Sequence, residues 1–155
     1  MATVTENILD NVESTLKGMT VAGGYNQPIY QVSRYTTPSQ IKFSKYPAAD
    51  IVIDRIDKSD EEDHGWQVCD MMIIIGAYVN HRTGRDCAHA ITTLAEDIEK
   101  LLAQDVTRGG YALDSAVVAI DFDFIDPDVS EWTGVATIDY EIKYEHRRDD
   151  PSTKN

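Results

Sequence analysis

The sequence predicts an α+β fold: one domain in which a mostly antiparallel or mixed β-sheet carries two helices packed on one face. Two segments, near residues 4–19 and 84–102, space their apolar residues three and four apart, the period of a helix with one buried stripe. Further segments near residues 28–37, 50–57, 66–80, 118–124 and 136–144 read as strands, by alternation or by short runs rich in β-branched residues. The resulting order, α-β-β-β-α-β-β, places most strands antiparallel and both helices on one side. With 155 residues the chain supports one core, because a domain of that length buries roughly 70% of the surface its unfolded chain exposes. The domain is expected to span residues 1–146, and residues 147–155, polar and without periodicity, are expected to form a flexible tail.

The first helix opens on Thr3 followed three residues later by Glu6, a capping-box pattern in which each side chain satisfies an orphan backbone donor. Ile8, Leu9, Val12, Leu16 and Met19 form its stripe, and Gly18 with Gly23-Gly24 ends it. A strand over residues 28–37 has Ile29 and Val32 too irregularly spaced to assign a face, and residues 37–47, bounded by prolines, form a loop. Residues 50–57 alternate, with Ile51 and Ile53 on one face. The run DKSDEED at 57–63 has six charges, a net of −4 and no large apolar residue, so it is expected to be a solvated loop or hairpin tip.

Residues 66–80 make the longest strand. Met72, Ile74 and Tyr78 fall on one face and Met71, Ile73, Ile75, Ala77 and Val79 on the other, a pattern of burial on both sides or of one face in a core and one in an interface. Thr83 with Asp86 caps the second helix, whose stripe is Cys87, Ile91, Leu94, Ala95, Ile98, Leu101 and Leu102. Gly109-Gly110 then reverses the chain, with a left-handed backbone expected at one of the two. In the last two strands the expected inner faces are Val118, Ile120, Phe122 and Phe124, then Ala136, Ile138, Tyr140, Ile142 and Tyr144.

Composition narrows the function. Fourteen basic against twenty-seven acidic residues give a formal charge of −13, which opposes general nucleic-acid binding, where Lys and Arg neutralise phosphates. It suits a surface past which DNA slides without sticking. No apolar run approaches the roughly 20 residues of a membrane-spanning helix. The N-terminus lacks a signal-peptide layout, which predicts a chain made and kept in the cytosol. Cys69 and Cys87 read as small buried apolar residues, with a disulfide or a metal role as lesser alternatives.

Four patterns bear on chemistry. Pro127-Asp128 with Glu141-Ile142-Lys143 matches the layout of magnesium-dependent PD-(D/E)xK nucleases, two carboxylates for the ion and a lysine for the phosphate. The same face carries Thr137, Asp139 and Glu145, as any solvated strand face does. Asp121, Asp123, Asp126 and Asp128 with Glu131 form an acidic cluster that suits a hard cation, or are simply outward positions of an alternating strand. His64, His81, His89 and His146 are scattered, and Cys87 and His89 at i, i+2 diverge on a helix. Arg82 and Arg85, just before the second helix, suit an anion at its N-terminus, a solvated surface, or acids on a neighbouring subunit. Nucleophile elbows, phosphate loops and dinucleotide fingerprints are absent from the sequence. No catalytic, cofactor-binding or metal-binding residue is assigned.

Leu101, Leu102, Asp105, Thr107, Gly109, Gly110 and Ala112, followed by Ile138, Tyr140 and Tyr144, and the upstream Tyr46-Pro47-Ala48, carry a resemblance. The chain resembles the tail terminator (tail completion) proteins of long-tailed bacteriophages, in element order over nearly its whole length and in motif over its second half. That resemblance implies a structural virion protein without catalytic residues. It would form a homohexameric ring at the head-proximal end of the tail, assembled in the host cytoplasm. The ring would cap the major tail-tube protein, end its polymerisation, meet a head-neck connector protein and let DNA pass through its lumen without sequence-specific binding. A head-tail connector or neck adaptor of similar size is the alternative within the virion. A nuclease using Asp128, Glu141 and Lys143 is the alternative outside it.

Overall fold

A computed structural model describes residues 2–34, 43–63, 65–125 and 131–154, with residues 60–63 described for their backbone alone. The described elements follow the predicted order: α1 (Val4–Lys17), β1 (Gln31–Arg34), β2 (Ala48–Asp63), β3 (Trp66–His81), α2 (Gly84–Ala103), β4 (Asp114–Ile125) and β5 (Trp132–Arg147). Both helix starts are capped as the sequence implies. Thr3 Oγ1 accepts from the Glu6 amide and Thr83 Oγ1 from the Asp86 amide, each at 3.2 Å, satisfying donors that have no partner inside the helix.

The five strands form one sheet in the order β1-β2-β3-β5-β4. β1 runs parallel to β2, and the remaining neighbours are antiparallel. β3 and β5 pair from Trp66↔Arg147 to His81↔Trp132 without a break, so the sheet is built around one long two-stranded ribbon. β3 and β4 are joined through α2 and leave a gap that β5 fills antiparallel to both, so the parallel β1–β2 pair is what makes the sheet mixed. The core lies between the helices and one face of this sheet. It takes the expected stripes of both helices, Met71, Ile73, Ile75, Ala77 and Val79 of β3, and Ala136, Ile138, Tyr140, Ile142 and Tyr144 of β5. α2 lies so close over β5 that a Cβ on Gly134 would stand 2.9 Å from Cys87 Sγ and 3.1 Å from Ile91 Cβ. Arg34 ties the short β1 to α1: its guanidinium meets Glu6, Asp10 and Glu13 at 3.1, 2.6 and 3.6 Å.

Four expectations change. The acidic run 57–63 lies at the tip of the β2–β3 hairpin, one of the two expected placements, but as strand and not as loop: β2 continues through Asp63, with Lys58 opposite Cys69 and Asp63 opposite Trp66. A neighbouring strand supplies backbone hydrogen bonds whatever the side chains are, so charge alone does not end a strand. The first strand begins later than residue 28: among the described residues it is Gln31–Arg34 that follows the backbone of β2; residues 35–37, and 37–42 of the expected loop, lie outside the described residues. Val118 is not on the inner face. The β4 ladder slips between Val117, opposite Tyr140, and Ala119, opposite Asp139, and the extra residue of this bulge turns outward, leaving Val118 52% exposed. Ile120, Phe122 and Phe124 do lie on the helix side, opposite Ile138, Ala136 and Gly134. As part of an edge strand that the helices do not fully cover, Phe122 and Phe124 remain exposed.

The fourth change is the chain end. Residues 147–154 fold back on the domain. Pro151 O accepts from the Val4 amide at 3.0 Å, Thr153 O from the Arg147 amide at 3.0 Å, and Gly65 O from the Arg148 amide at 2.9 Å. Asp150 holds the reversal through Ser152 N, Ser152 Oγ and Thr153 Oγ1, and these bonds keep its carboxyl below the usual range, the Ser152 hydroxyl most of all. Truncation after Arg148 is expected to lower unfolding free energy by about 1–3 kcal/mol, the cost of orphaning a buried backbone donor. Chemical denaturation measures it, and a truncated protein as stable as the full chain contradicts the docked end.

Candidate functional site

The glycine pair stands in a turn that is locked from several directions. α2 ends at Ala103, and the backbone then takes three left-handed residues in succession: Arg108 at φ 49°, Gly109 at 71° and Gly110 at 85°. Both glycines therefore need their freedom, and a non-glycine residue shares the strain. Asp105 organises the loop. Its Oδ1 accepts from Thr107 N at 3.1 Å and Thr107 Oγ1 at 2.9 Å, and its Oδ2 from Gly109 N at 2.8 Å. The Gly109 bond above all holds its carboxyl below the usual range.

Arg108 has no exposed surface. Its Nη2 donates to Leu102 O at 2.9 Å and to Asp105 O, its Nε to Asp105 O at 2.7 Å, and its Nη1 to Thr15 Oγ1 of α1 at 3.3 Å. A cation thus meets a carbonyl of the last turn of α2 and one just past its end, where the helix dipole favours positive charge. Sequence reading found the glycines, Asp105 and Thr107 and passed over Arg108. Replacing Arg108 with Met is expected to cost about 1.5–3 kcal/mol, the range for hydrogen bonds to a charged group. Thermal and denaturant unfolding would register it, and an unchanged midpoint excludes the capping role.

The sheet face opposite the helices is partly covered. Tyr78 lies there with Met72 and Ile74, as expected, and packs with Phe43 and Ala48 in a second small cluster. Beneath it is Asp50, 1% exposed. Asp50 Oδ1 accepts from Gly76 N at 2.9 Å and Oδ2 from Tyr78 Oη at 3.0 Å. Gly76 is directly opposite Asp50 in the ladder, and a Cβ there would collide with the carboxylate. Desolvation raises the Asp50 pKa, and desolvation together with the Asp50 charge raises that of Tyr78. The sequence signal for this pair is a glycine inside an apolar strand facing an aspartate at the start of another.

Because its folded pKa is raised, ionised Asp50 opposes folding. Its contribution is most favourable below the unfolded value of 3.8 and is lost as pH rises through the folded pKa. Asp50→Asn can still accept from Gly76 and donate to Tyr78. The variant is therefore expected to match or exceed the wild type in stability at pH 7, with its advantage shrinking as pH falls toward 4. Paired melting curves across that range read this out; an advantage that grows on acidification refutes it.

Of the nuclease pattern, Glu141 and Lys143 lie exposed on this same face; Asp128 lies outside the described residues. Lys143 sits in register between Asp70 of β3 and Asp114 of β4, two acids that the sequence pattern did not single out. These groups line a shallow cleft of about 320 Å³ with Ser115, Ala116 and Glu141. Among the described residues, no three His, Cys, Asp or Glu side chains are placed to hold a metal ion. Asp121, Asp123 and Glu131 are exposed, and Asp126 shares with Asp128 a place outside the described residues. Cys69 and Cys87 are buried free thiols. Cys87 Sγ donates to Trp132 O at 3.7 Å, while His89 is exposed on the same helix; Arg82 is exposed before that helix, and Arg85, expected before it, is exposed in its first turn. His64 lies outside the described residues.

Two surfaces remain to be accounted for. The uncovered sheet face carries Asp57, Asp70, Asp139, Glu141 and Glu145 against Arg55 and Lys143, and Arg55 is itself paired with Asp57 at 3.1 Å. The edge strand β4 exposes Val118, Phe122, Phe124 and Ile125 by 41–55%, and among the described residues no strand pairs with its outer edge. No helix among the described residues is long and apolar enough to cross a membrane. No protein-family model matches this chain, and no curated protein matches its sequence.

Proposed function

We propose that this chain is a structural subunit of a long-tailed bacteriophage virion, forming a ring that caps the tail tube, stops its growth and presents a surface to the head-neck connector. The observation that carries the reading is the turn from Leu101 to Ala112. The residues of the tail-terminator resemblance, Asp105, Thr107, Gly109 and Gly110, are those that interlock to end α2 and launch β4. The exposed edge of β4 supports the reading. Exposed apolar side chains on both faces of an edge strand are the kind of surface that protein–protein contacts bury, and a ring subunit needs two such contacts.

The acidic uncovered sheet face agrees with a wall along which DNA passes, because fixed negative charge repels phosphate. With −13 per subunit, rings assemble more readily as salt screens the subunits from one another. The expected solution species is a hexamer that becomes more populated between about 0.05 and 0.5 M salt, over which the screening length falls roughly threefold. Native mass spectrometry or light scattering measures it. In the virus, loss of the protein should give overlong tails. Normal-length unattached tails indicate a neck adaptor, and a chain that stays monomeric and never binds tail tubes removes the reading.

A further inference from the structure

We propose that Lys58, Cys69 and His146 form a peroxide-responsive crosslinking site, in which oxidised Cys69 is captured by the Lys58 amine as a sulfenamide that staples β2 to β3. Lys58 and Cys69 are directly opposed across the β2–β3 ladder, next to Tyr144 of β5. Lys58 Nζ is 3.7 Å from Cys69 Sγ and 3.1 Å from His146 Nε2. His146 is itself 6% exposed, and its Nδ1 lies 2.6 Å from Arg147 O. A carbonyl only accepts, so Nδ1 carries the proton. In the neutral ring Nε2 then presents a lone pair toward the Lys58 nitrogen. The three groups sit near the first turn of α1, where Thr5 Oγ1 meets Tyr144 Oη at 2.9 Å; Cys69 has no exposed surface, while Lys58 opposite it is exposed.

The chemistry closes with hydrogen peroxide as the oxidant. The Cys69 thiol and peroxide give the sulfenic acid and one water, the first step of thiol oxidation. The Lys58 ammonium gives up a proton to His146 Nε2, and the resulting amine attacks Cys69 Sγ. The S–N bond forms as the S–O bond breaks, and the departing hydroxyl leaves as water with a second proton from Nζ. His146 returns its proton to solvent. The product is two hydrogens lighter than the reduced pair, and a thiol reductant cleaves the S–N bond to restore both side chains. Cys87, buried in the core with Trp132 O as its hydrogen-bond partner, serves as an internal comparator.

The test is a tryptic map of the whole protein before and after hydrogen peroxide. Crosslinking abolishes cleavage after Lys58 and yields one peptide of residues 56–82, two hydrogens lighter than its reduced sequence; dithiothreitol restores cleavage. Lys58→Arg should eliminate the light peptide, and His146→Gln should slow its appearance at least tenfold while leaving the melting temperature of the reduced protein within a few degrees. The proposal is overturned if Cys69 advances to sulfinic or sulfonic acid with Lys58 still cleaved, if it stays reduced, or if Lys58→Arg leaves the product in place. None of these outcomes depends on the oligomeric state, so this result and the ring reading stand or fall separately.

Discussion

The buried guanidinium of Arg108 is the contact on which the arrangement of this domain depends. α2 has to end abruptly, because the chain must leave the helical layer and return to the sheet beyond the strand position that β5 will fill. An abrupt end leaves carbonyls without partners, and Arg108 supplies donors to Leu102 and Asp105 while reaching across to Thr15 on α1. One side chain therefore closes α2, registers it against α1 and aims the chain toward β4. Burying a cation is costly, and this one is tolerated because carbonyl dipoles and the helix end surround it. Asp105 does the complementary work on the exposed side of the turn, holding the amides that the left-handed residues point toward it.

Around that lock, the β3–β5 ribbon divides the molecule into two unlike faces. The helix side is dry and continuous, from Val4 to Tyr144. The other side is dry only near Tyr78 and Phe43 and elsewhere carries carboxylates. The charge of the protein is thus not spread evenly, since much of one sheet face is acidic, with Arg55, Lys143 and Arg147 among the acids. Among the buried polar side chains is Asp50, a carboxylate held under Tyr78 by two donors, made possible by the missing side chain of Gly76. It fixes β2 against β3 in one register at some cost in stability, the role best attested for buried polar groups.

Helix positions, helix caps, the inner faces of β3 and β5 and the element order were legible because each depends on residues a few places apart along one element. The turn at Gly109-Gly110 was legible for the same reason. The misplacements share a different cause. Continuation of β2 through its acidic end depends on a partner strand, β3, whose backbone does not consult side-chain charge. The outward turn of Val118 depends on a bulge, set by how β4 meets β5. The docking of residues 147–154 depends on amides of Val4 and Arg147 that are brought near only by the completed fold.

The sequence by itself determined what kind of domain this is: which segments are helical, which faces are apolar, where the chain must reverse, and that its charge opposes nucleic-acid binding. Those properties follow from periodicity and composition, which are local. Only the tertiary structure decided that Arg108 is buried rather than solvated, that Asp50 meets Gly76 and Tyr78, and that Lys58, Cys69 and His146 converge. The strand order decided that β4 is an open edge. Each of these joins residues far apart in the chain, and no period or motif along the sequence encodes which strand will stand beside which.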